Sequence, residues 1–161
     1  MIILKIFFHI IAIIKKIFYK IIFRGKVKFG KKFTFRKGFS ISIEENGEIE
    51  IGREVFFNNY CSLNALNKIS IGDYCIFGSN VQIYDHNHRF KDKEKRITEQ
   101  GYTKAPVKIG IGCWIGSNVT ILKGVTIGNN VIIGAGCVID RDIPDNIIVR
   151  QEGNLIMEER R

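Results

Sequence analysis

VKIGIGCWIGSNVTILKGVTIGNNVIIGAGCVIDRD, residues 107–142, repeats every six residues. Large aliphatics fall at Ile109, Ile115, Ile121, Ile127, Ile133 and Ile139. Two residues before each stands a small or β-branched residue: Val107, Cys113, Val119, Val125, Val131 and Cys137. Glycine follows the aliphatic at positions 110, 116, 128 and 134. Six residues advance an α-helix by about 600°, which rotates the aliphatic off its face by about 120° at each step, so a helix cannot use this pattern. A short strand can. Its i and i−2 side chains share one face, and a turn at the glycine-containing step re-aims the chain. Three such strands close one triangular coil, and stacked coils pair their backbones at about 4.8 Å.

The same pairs run upstream as Val27/Phe29, Phe33/Phe35 and Phe39/Ile41, then Ile49/Ile51, Val55/Phe57 and Cys61/Leu63, then Ile69/Ile71, Cys75/Phe77 and Val81/Ile83. These fifteen hexads predict an all-β solenoid of parallel strands with about five coils, about 24 Å tall. The four cysteines, Cys61, Cys75, Cys113 and Cys137, form no CxxC pair. All of them occupy the cramped inward position i−2, so they read as small core residues.

The rest of the chain fits one domain: 161 residues, 45% hydrophobic and 25% charged, exclude a disordered chain. The formal net charge of +9 is unevenly spread. Residues 1–38 hold 11 Lys/Arg and no acid, leaving 14 Lys/Arg against 16 Asp/Glu in residues 39–161. Because the excess sits on an apolar segment and the first coil, with no nucleic-acid-binding motif, nucleic acid is not an expected partner.

Residues 1–24 are apolar, but their longest run without Lys or Arg is the nine residues from Ile6 to Ile14, half of a membrane span. No small-residue cleavage site follows; Lys15 and Lys16 stand there instead, so export is not expected. The chain reads as cytoplasmic, with reduced thiols. Plotted at about 100° per residue, Lys5, His9, Lys16 and Lys20 fall within about 60°, while Phe7, Phe8, Ile14, Phe18 and Ile22 occupy other faces. This amphipathic basic helix has two readings: peripheral contact with an anionic bilayer on the inner membrane face, or packing on its own domain or a neighbouring subunit.

At this point the sequence resembles the hexapeptide-repeat acyltransferases, over residues 27 to about 149, and most of all the galactoside, maltose and surface-polysaccharide O-acetyltransferases. The resemblance implies a left-handed parallel β-helix in residues 25–149, a homotrimer with active sites between subunits, and acetyl-CoA as co-substrate, with no metal. A tail, residues 150–161, follows the β-helix.

The repeat breaks three times: at Glu44–Glu48, at Asn64–Lys68, and in a long insertion over residues 84–106. The first two read as tolerated surface loops, whereas the third holds His86 and His88, two of the chain's three histidines. His88 lies five residues beyond Ile83, where the resembled enzymes carry their catalytic histidine, so the resemblance implies that it is the general base; His86 is the weaker candidate. Asp85 either orients an imidazole ring, as a triad carboxylate does, or caps the start of the insertion. By position, Trp114, Gly116 and Ser117 match family residues near the pantetheine and thioester, and Ala135 a backbone contact to the pantetheine arm. Asp140 and Arg141 match a pair at the nucleotide end, and Asn58 an acceptor-site residue. Bland roles compete: Trp114 as a packing aromatic, Arg141 as a solvated charge, and Asn58 as a turn residue satisfying its own backbone.

The chain also departs from the family. The acceptor-site carboxylate of the galactoside enzymes falls on Leu66, which points to a different sugar. Lys123 replaces a common proline, and the usual Gly-x-Pro-Ala tail is degraded to RQEGNLIMEERR. The basic helix stands where the maltose-type enzymes have an N-terminal domain, a pattern nearer to enzymes of lipid-linked or cell-surface glycans. The expected activity is therefore transfer of acetyl from acetyl-CoA to a hydroxyl of a saccharide, a capsule or lipopolysaccharide intermediate. The alternatives are another small acceptor such as an antibiotic, or a non-catalytic membrane-associated scaffold. A zinc hydrolase on the same solenoid would need three converging histidines, and one of the three here lies on the helix.

Overall fold

The computed structural model describes residues 2–151, with side chains from residue 7. Lys5's side chain and all of the tail beyond Gln151 lie outside the described residues. Parallel strands wind as a three-faced prism. The first face holds Val27–Phe29, Glu48–Ile51, Lys68–Ile71, Val107–Ile109 and Thr126–Ile127. The second holds Thr34–Phe35, Phe56–Phe57, Ile76–Phe77, Trp114–Ile115, Ile132–Ile133 and Ile148–Val149. Ser40–Ile43, Ser62–Ala65, Gln82–Tyr84, Thr120–Ile121 and Val138–Ile139 form the third.

The register follows the six-residue frame. Phe35, Phe57, Phe77, Ile115, Ile133 and Val149 stack in one column. Ile41, Leu63, Ile83, Ile121 and Ile139 stack in another. A sixth turn begins beyond the fifteen hexads, because Ile143 bridges to Ile127 and Val149 pairs with Ile133. It is inconspicuous in the sequence: Arg141 occupies the place two residues before Ile143 where the earlier coils carry an apolar side chain.

The interior is apolar and graded. Phe33, Phe39, Phe57 and Phe77 fill the lower coils, with Phe57 and Phe77 stacked at 4.0 Å between ring centroids, and Val, Cys and Ile fill the upper ones. All four cysteines are buried. Burial pushes the Cys61 thiol above its ordinary pKa, and hydrogen bonding to Cys113 together with burial does the same to Cys75, so both stay protonated.

The turns differ from the expectation in one respect. The glycines that follow each aliphatic are not the left-handed residues; they are sites of close approach between coils. A Cβ on Gly110 would lie 2.5 Å from the Gly128 carbonyl oxygen, and one on Gly72 would lie 2.6 Å from that of Gly110. The chain turns instead at the last residue of each hexad, as at Asn80, Asn118, Asn130 and Asn146, where φ is 58°, 59°, 53° and 61°. Asparagine tolerates this region better than other side chains with a Cβ. Neighbouring coils then bond through it: Asn80 Nδ2 donates to Asn118 Oδ1 at 2.9 Å. Asn118→Ala is expected to lower unfolding free energy by about 1–2 kcal/mol, and Asn118→Gly by less, measured as shifts in urea midpoint at constant slope.

An α-helix, Ile2–Phe23, crosses the open end of the first coil. Ala12 and Tyr19 are buried there, and Lys15 and Lys16 donate to the Phe39 and Phe33 carbonyls at 3.0 and 2.8 Å. These lysines satisfy first-coil carbonyls that have no coil beneath them. Burial, with Lys20 nearby, holds Lys16 below the usual lysine pKa. The helix thus packs on its own domain, and the expected basic stripe is partly spent on that contact.

The three breaks occupy the same corner of successive coils, between the third face and the first. Residues 84–106 are more ordered than a loop: His86–His88 pairs antiparallel with Tyr102–Lys104, and a short 3₁₀ turn, Ile97–Glu99, folds the tip. The two smaller breaks support this ribbon. Lys104 pairs with Glu45 of the first break, and the backbone of the second is gripped by Asp85.

Candidate active site

Asp85 is fully buried at the root of the ribbon. Its carboxylate accepts the backbone N–H groups of Leu66 at 2.8 Å and Asn67 at 2.7 Å, and it faces His86 Nδ1 at 3.0 Å. Three donors on one carboxylate satisfy it without solvent. This bond places a proton on His86 Nδ1. Asp85 is thus an imidazole partner, the imidazole being that of His86, and in place of capping the start of its own insertion it grips the backbone of the second break. Leu66 is itself buried, and it is its backbone N–H that Asp85 binds.

His86 is half-buried between Asp85 and the edge of Tyr102, whose ring lies 5.3 Å away at 90°. His88, two residues on, projects from the same side of its strand into the open. Its ring lies 4.5 Å from that of Tyr102, its cross-strand partner. Tyr102 thus touches both imidazoles, a role the sequence reading missed. The signal was available only as register, since pairing residues 86–88 with 102–104 requires knowing that the insertion doubles back. His88 borders an open groove of about 760 Å³, lined also by Asn87, Arg89, Phe90, Gln100, Thr103 and Lys123, with both basic and acidic side chains, Lys91 and Asp92 among them. Lys123, which stands where the family carries a proline, is a wall of that groove.

Asn58, Gly116, Ser117 and Ala135 lie on a different edge, between the second and third faces, with Trp114 on the second face, whereas Asp140 and Arg141 follow Val138–Ile139 at the ribbon's own corner, one coil beyond Lys123. Ser117 Oγ accepts the Ser79 N–H at 3.1 Å, the Ser117 carbonyl accepts from Gly136 at 2.9 Å, and the Asn59 carbonyl accepts from Asn80 at 2.8 Å. Asn58 and Asn59, Ser79, Ser117 and Ala135 therefore form one column, a coil apart. Gly116 is buried, and a Cβ there would sit 2.6 Å from the Ala135 backbone nitrogen, so glycine is required for the coils to close. Trp114 and Ala135 are exposed beside it. Asn58 Oδ1 accepts the Asn59 N–H at 2.9 Å, the self-satisfied turn geometry. Arg141 donates to Asp140 at 2.8 and 3.2 Å in full solvent and holds that carboxyl below the usual carboxylate pKa.

The column and His88 mark the two ends of the third face. Its strand Gln82–Tyr84 and flanking residues separate them by roughly 15 Å at about 3.3 Å per residue. Within one chain, then, the small-residue column and the imidazole do not converge. Among the described residues no three His, Cys, Asp or Glu side chains cluster as a metal site would require.

Residues 106–141 match the family of bacterial transferases with the hexapeptide repeat. A protein named as a lipopolysaccharide biosynthesis O-acetyl transferase, WbbJ of Escherichia coli K12, is 32% identical over 78% of this chain and 67% of its own. The chain belongs to the hexapeptide-repeat transferase family. Its prism is the left-handed parallel β-helix of that family. A maltose O-acetyltransferase from Clostridium difficile 630 superposes with a TM-score of 0.68 at 37% identity, covering 80% of this chain and 67% of that one. A hexapeptide-repeat acetyltransferase from Vibrio cholerae, solved with acetyl-coenzyme A, has a TM-score of 0.64 at 27% identity, over 76% and 64% of the two chains. The chain spans between about a third and two thirds of the length of the curated relatives it matches.

Proposed function

We propose that this hexapeptide-repeat protein transfers the acetyl group of acetyl-CoA to a hydroxyl of a saccharide, a capsule or lipopolysaccharide intermediate presented at the inner membrane face. His88 acts as general base in a site built by two chains of a homotrimer. The observation that carries the reading is the separation of His88 from the Ser117/Ala135 column by one whole face of a stiff prism. Two copies packed by their edges would bring one chain's imidazole to the other's column, which no rearrangement within a single chain can do. The likeness to WbbJ and to the maltose enzyme supports the reaction class and the saccharide acceptor.

The chemistry needs little from the protein. A sugar hydroxyl is a poor nucleophile near neutral pH, and a neutral imidazole can take its proton as the oxygen attacks the thioester carbonyl. The tetrahedral intermediate collapses with cleavage of the carbon–sulfur bond, and the imidazolium returns the proton to the departing thiolate. Holding both substrates in one groove and directing donors at the developing oxyanion supply the remainder. The Ser117/Ala135 column would take the pantetheine arm along the exposed edge, Trp114 flanking it. Arg141 would meet a phosphate at the nucleotide end, and Asn58 the acceptor. Asp85, His86 and Tyr102 would hold the ribbon that carries His88.

Release of free CoA with a panel of glycans, read with a thiol-reactive dye, tests the reaction. Subunit mixing tests the architecture. His88→Ala and Ala135→Glu chains are each expected to be inactive alone. Co-refolded in equal amounts they are expected to regain roughly a quarter of wild-type activity, since about one interface in four pairs an intact imidazole with an intact column. No activity in the mixture, with normal assembly, would place both elements in sites the chains do not share.

A further inference from the structure

The N-terminal helix is turned inside out with respect to an ordinary surface helix. Lys15, Lys16 and Tyr19 face the first coil, while Phe7, Ile10, Ile14, Ile17, Phe18 and Ile21 point away from the protein, each 51–68% exposed. At about 100° per residue these six lie within roughly 100° of one another, a continuous ridge along the helix. Ile13 and Ile22, also exposed, widen it on either side. A contiguous apolar surface of this extent on a folded chain marks an interaction site.

The charge around the ridge selects the partner. His9 and Lys20 are exposed on the same helix, Arg24 is exposed in the turn directly after it, and Lys31 and Arg36 are exposed on the first coil beneath it. No Asp or Glu precedes Glu44, whereas residues 39–161 carry two more acids than bases. The positive charge is thus concentrated at the end of the prism that bears the ridge. A second copy placed ridge to ridge would bring two acid-free ends together, so repulsion opposes that pairing, whereas an anionic bilayer is attracted to the cations and takes up the apolar side chains. At 22 residues the helix is about 33 Å long, yet it is not apolar enough to cross a membrane.

We propose that this ridge inserts into the interfacial region of an anionic bilayer, with the helix parallel to the surface and the prism standing over it. This deepens the membrane-face part of the function proposed above by naming the side chains that enter and the lipid charge they require; it is independent of the acetyl chemistry. Because the helix lies across the end of the first coil, the prism axis runs along the membrane normal. The ribbon, which leaves the third coil, then stands about two inter-coil spacings, roughly 10 Å, above the first coil.

The test is co-sedimentation of the full chain with phosphatidylcholine vesicles, with and without about 30 mol% phosphatidylglycerol. Binding is expected to need the anionic lipid and to fall at least about tenfold in Ile14→Glu/Ile17→Glu, with the melting temperature unchanged because both positions face solvent. As a second readout, Ile17→Trp is expected to shift its emission to the blue on vesicles and to be quenched by lipids brominated in their chains. Equal binding of the double variant, or wild-type protein left in the supernatant with both vesicle types, would overturn the proposal. So would a double variant that loses an oligomer in light scattering while its vesicle binding is unchanged, since the ridge would then be a contact between copies. A protein that binds vesicles but acetylates nothing would leave this inference standing and remove the enzymatic one.

Discussion

In His88→Ala, kcat for acetyl transfer is expected to fall by about 10² to 10⁴, the range lost when a positioned general base is removed. Stability should hold: His88 is exposed on the ribbon, and its closest recorded partner is the Tyr102 ring, so about 1 kcal/mol at most is at stake. KM for acetyl-CoA should also hold, because the proposed base acts on the acceptor hydroxyl in the transition state and is assigned no part in holding the cofactor. The control is His86→Ala. That imidazole is half-buried and bonded to Asp85 at 3.0 Å, so its loss should destabilise the ribbon and reduce kcat indirectly. Tyr102→Phe keeps both ring contacts and should leave the pH profile of kcat/KM in place, whereas Tyr102→Leu should depress kcat without moving it. If His86→Ala abolishes turnover and His88→Ala retains it, the base is His86 and the assignment at 88 is wrong.

The contrast between the two histidines shows how much the sequence could carry. The hexad frame fixed the strands, the column registers and the inward cysteines, because a six-residue period has one strand solution and excludes the helix outright. It could not fix what happens outside the period. The direction of the Ile2–Phe23 helix depends on carbonyls of Phe33 and Phe39 that become unpaired only once a coil has formed. Those carbonyls draw Lys15 and Lys16 inward, against the expectation that an amphipathic helix buries its apolar side. The glycines that follow the aliphatics, such as Gly110 and Gly116, serve the approach of stacked backbones, a property of neighbouring coils and not of local sequence, while the positive-φ turns fall at the last residue of the hexad, on Asn118 and Asn130 and also on Gly112, Gly124 and Gly136. The candidate site was not legible as a geometry. Ser117 and Ala135 sit where the hexad frame puts them, His88 lies in the insertion outside that frame, and only the folded prism reveals that one face lies between the imidazole and the column.

The second large effect is expected at Asp85. Asp85→Ala should lower unfolding free energy by about 3–5 kcal/mol, since three hydrogen-bonding groups lose their acceptor at roughly 1–3 kcal/mol for each one left buried. The alanine would leave the Leu66 and Asn67 N–H groups and the His86 ring without their acceptor, beneath a ribbon root that excludes water. For a domain of this size the melting temperature should drop by roughly 10 °C or more. Asp85→Asn tests the charge separately from the shape. Its amide can present only one oxygen, so an NH₂ group would face a backbone N–H, and it should recover only part of the loss. The ribbon should loosen before the prism does, since its other ties to the coils are the bond from the Asp85 N–H to the Asn64 carbonyl, the Lys104–Glu45 pair and the Gly124–Ala105 bond. Proteolysis within residues 89–101 should therefore accelerate in Asp85→Ala below its melting temperature, while the prism, held by its column of stacked aromatics and aliphatics, stays intact. Cleavage at the wild-type rate, with unfolding free energy unchanged, would mean that the buried carboxylate is not what fastens the histidine-bearing ribbon to the coils.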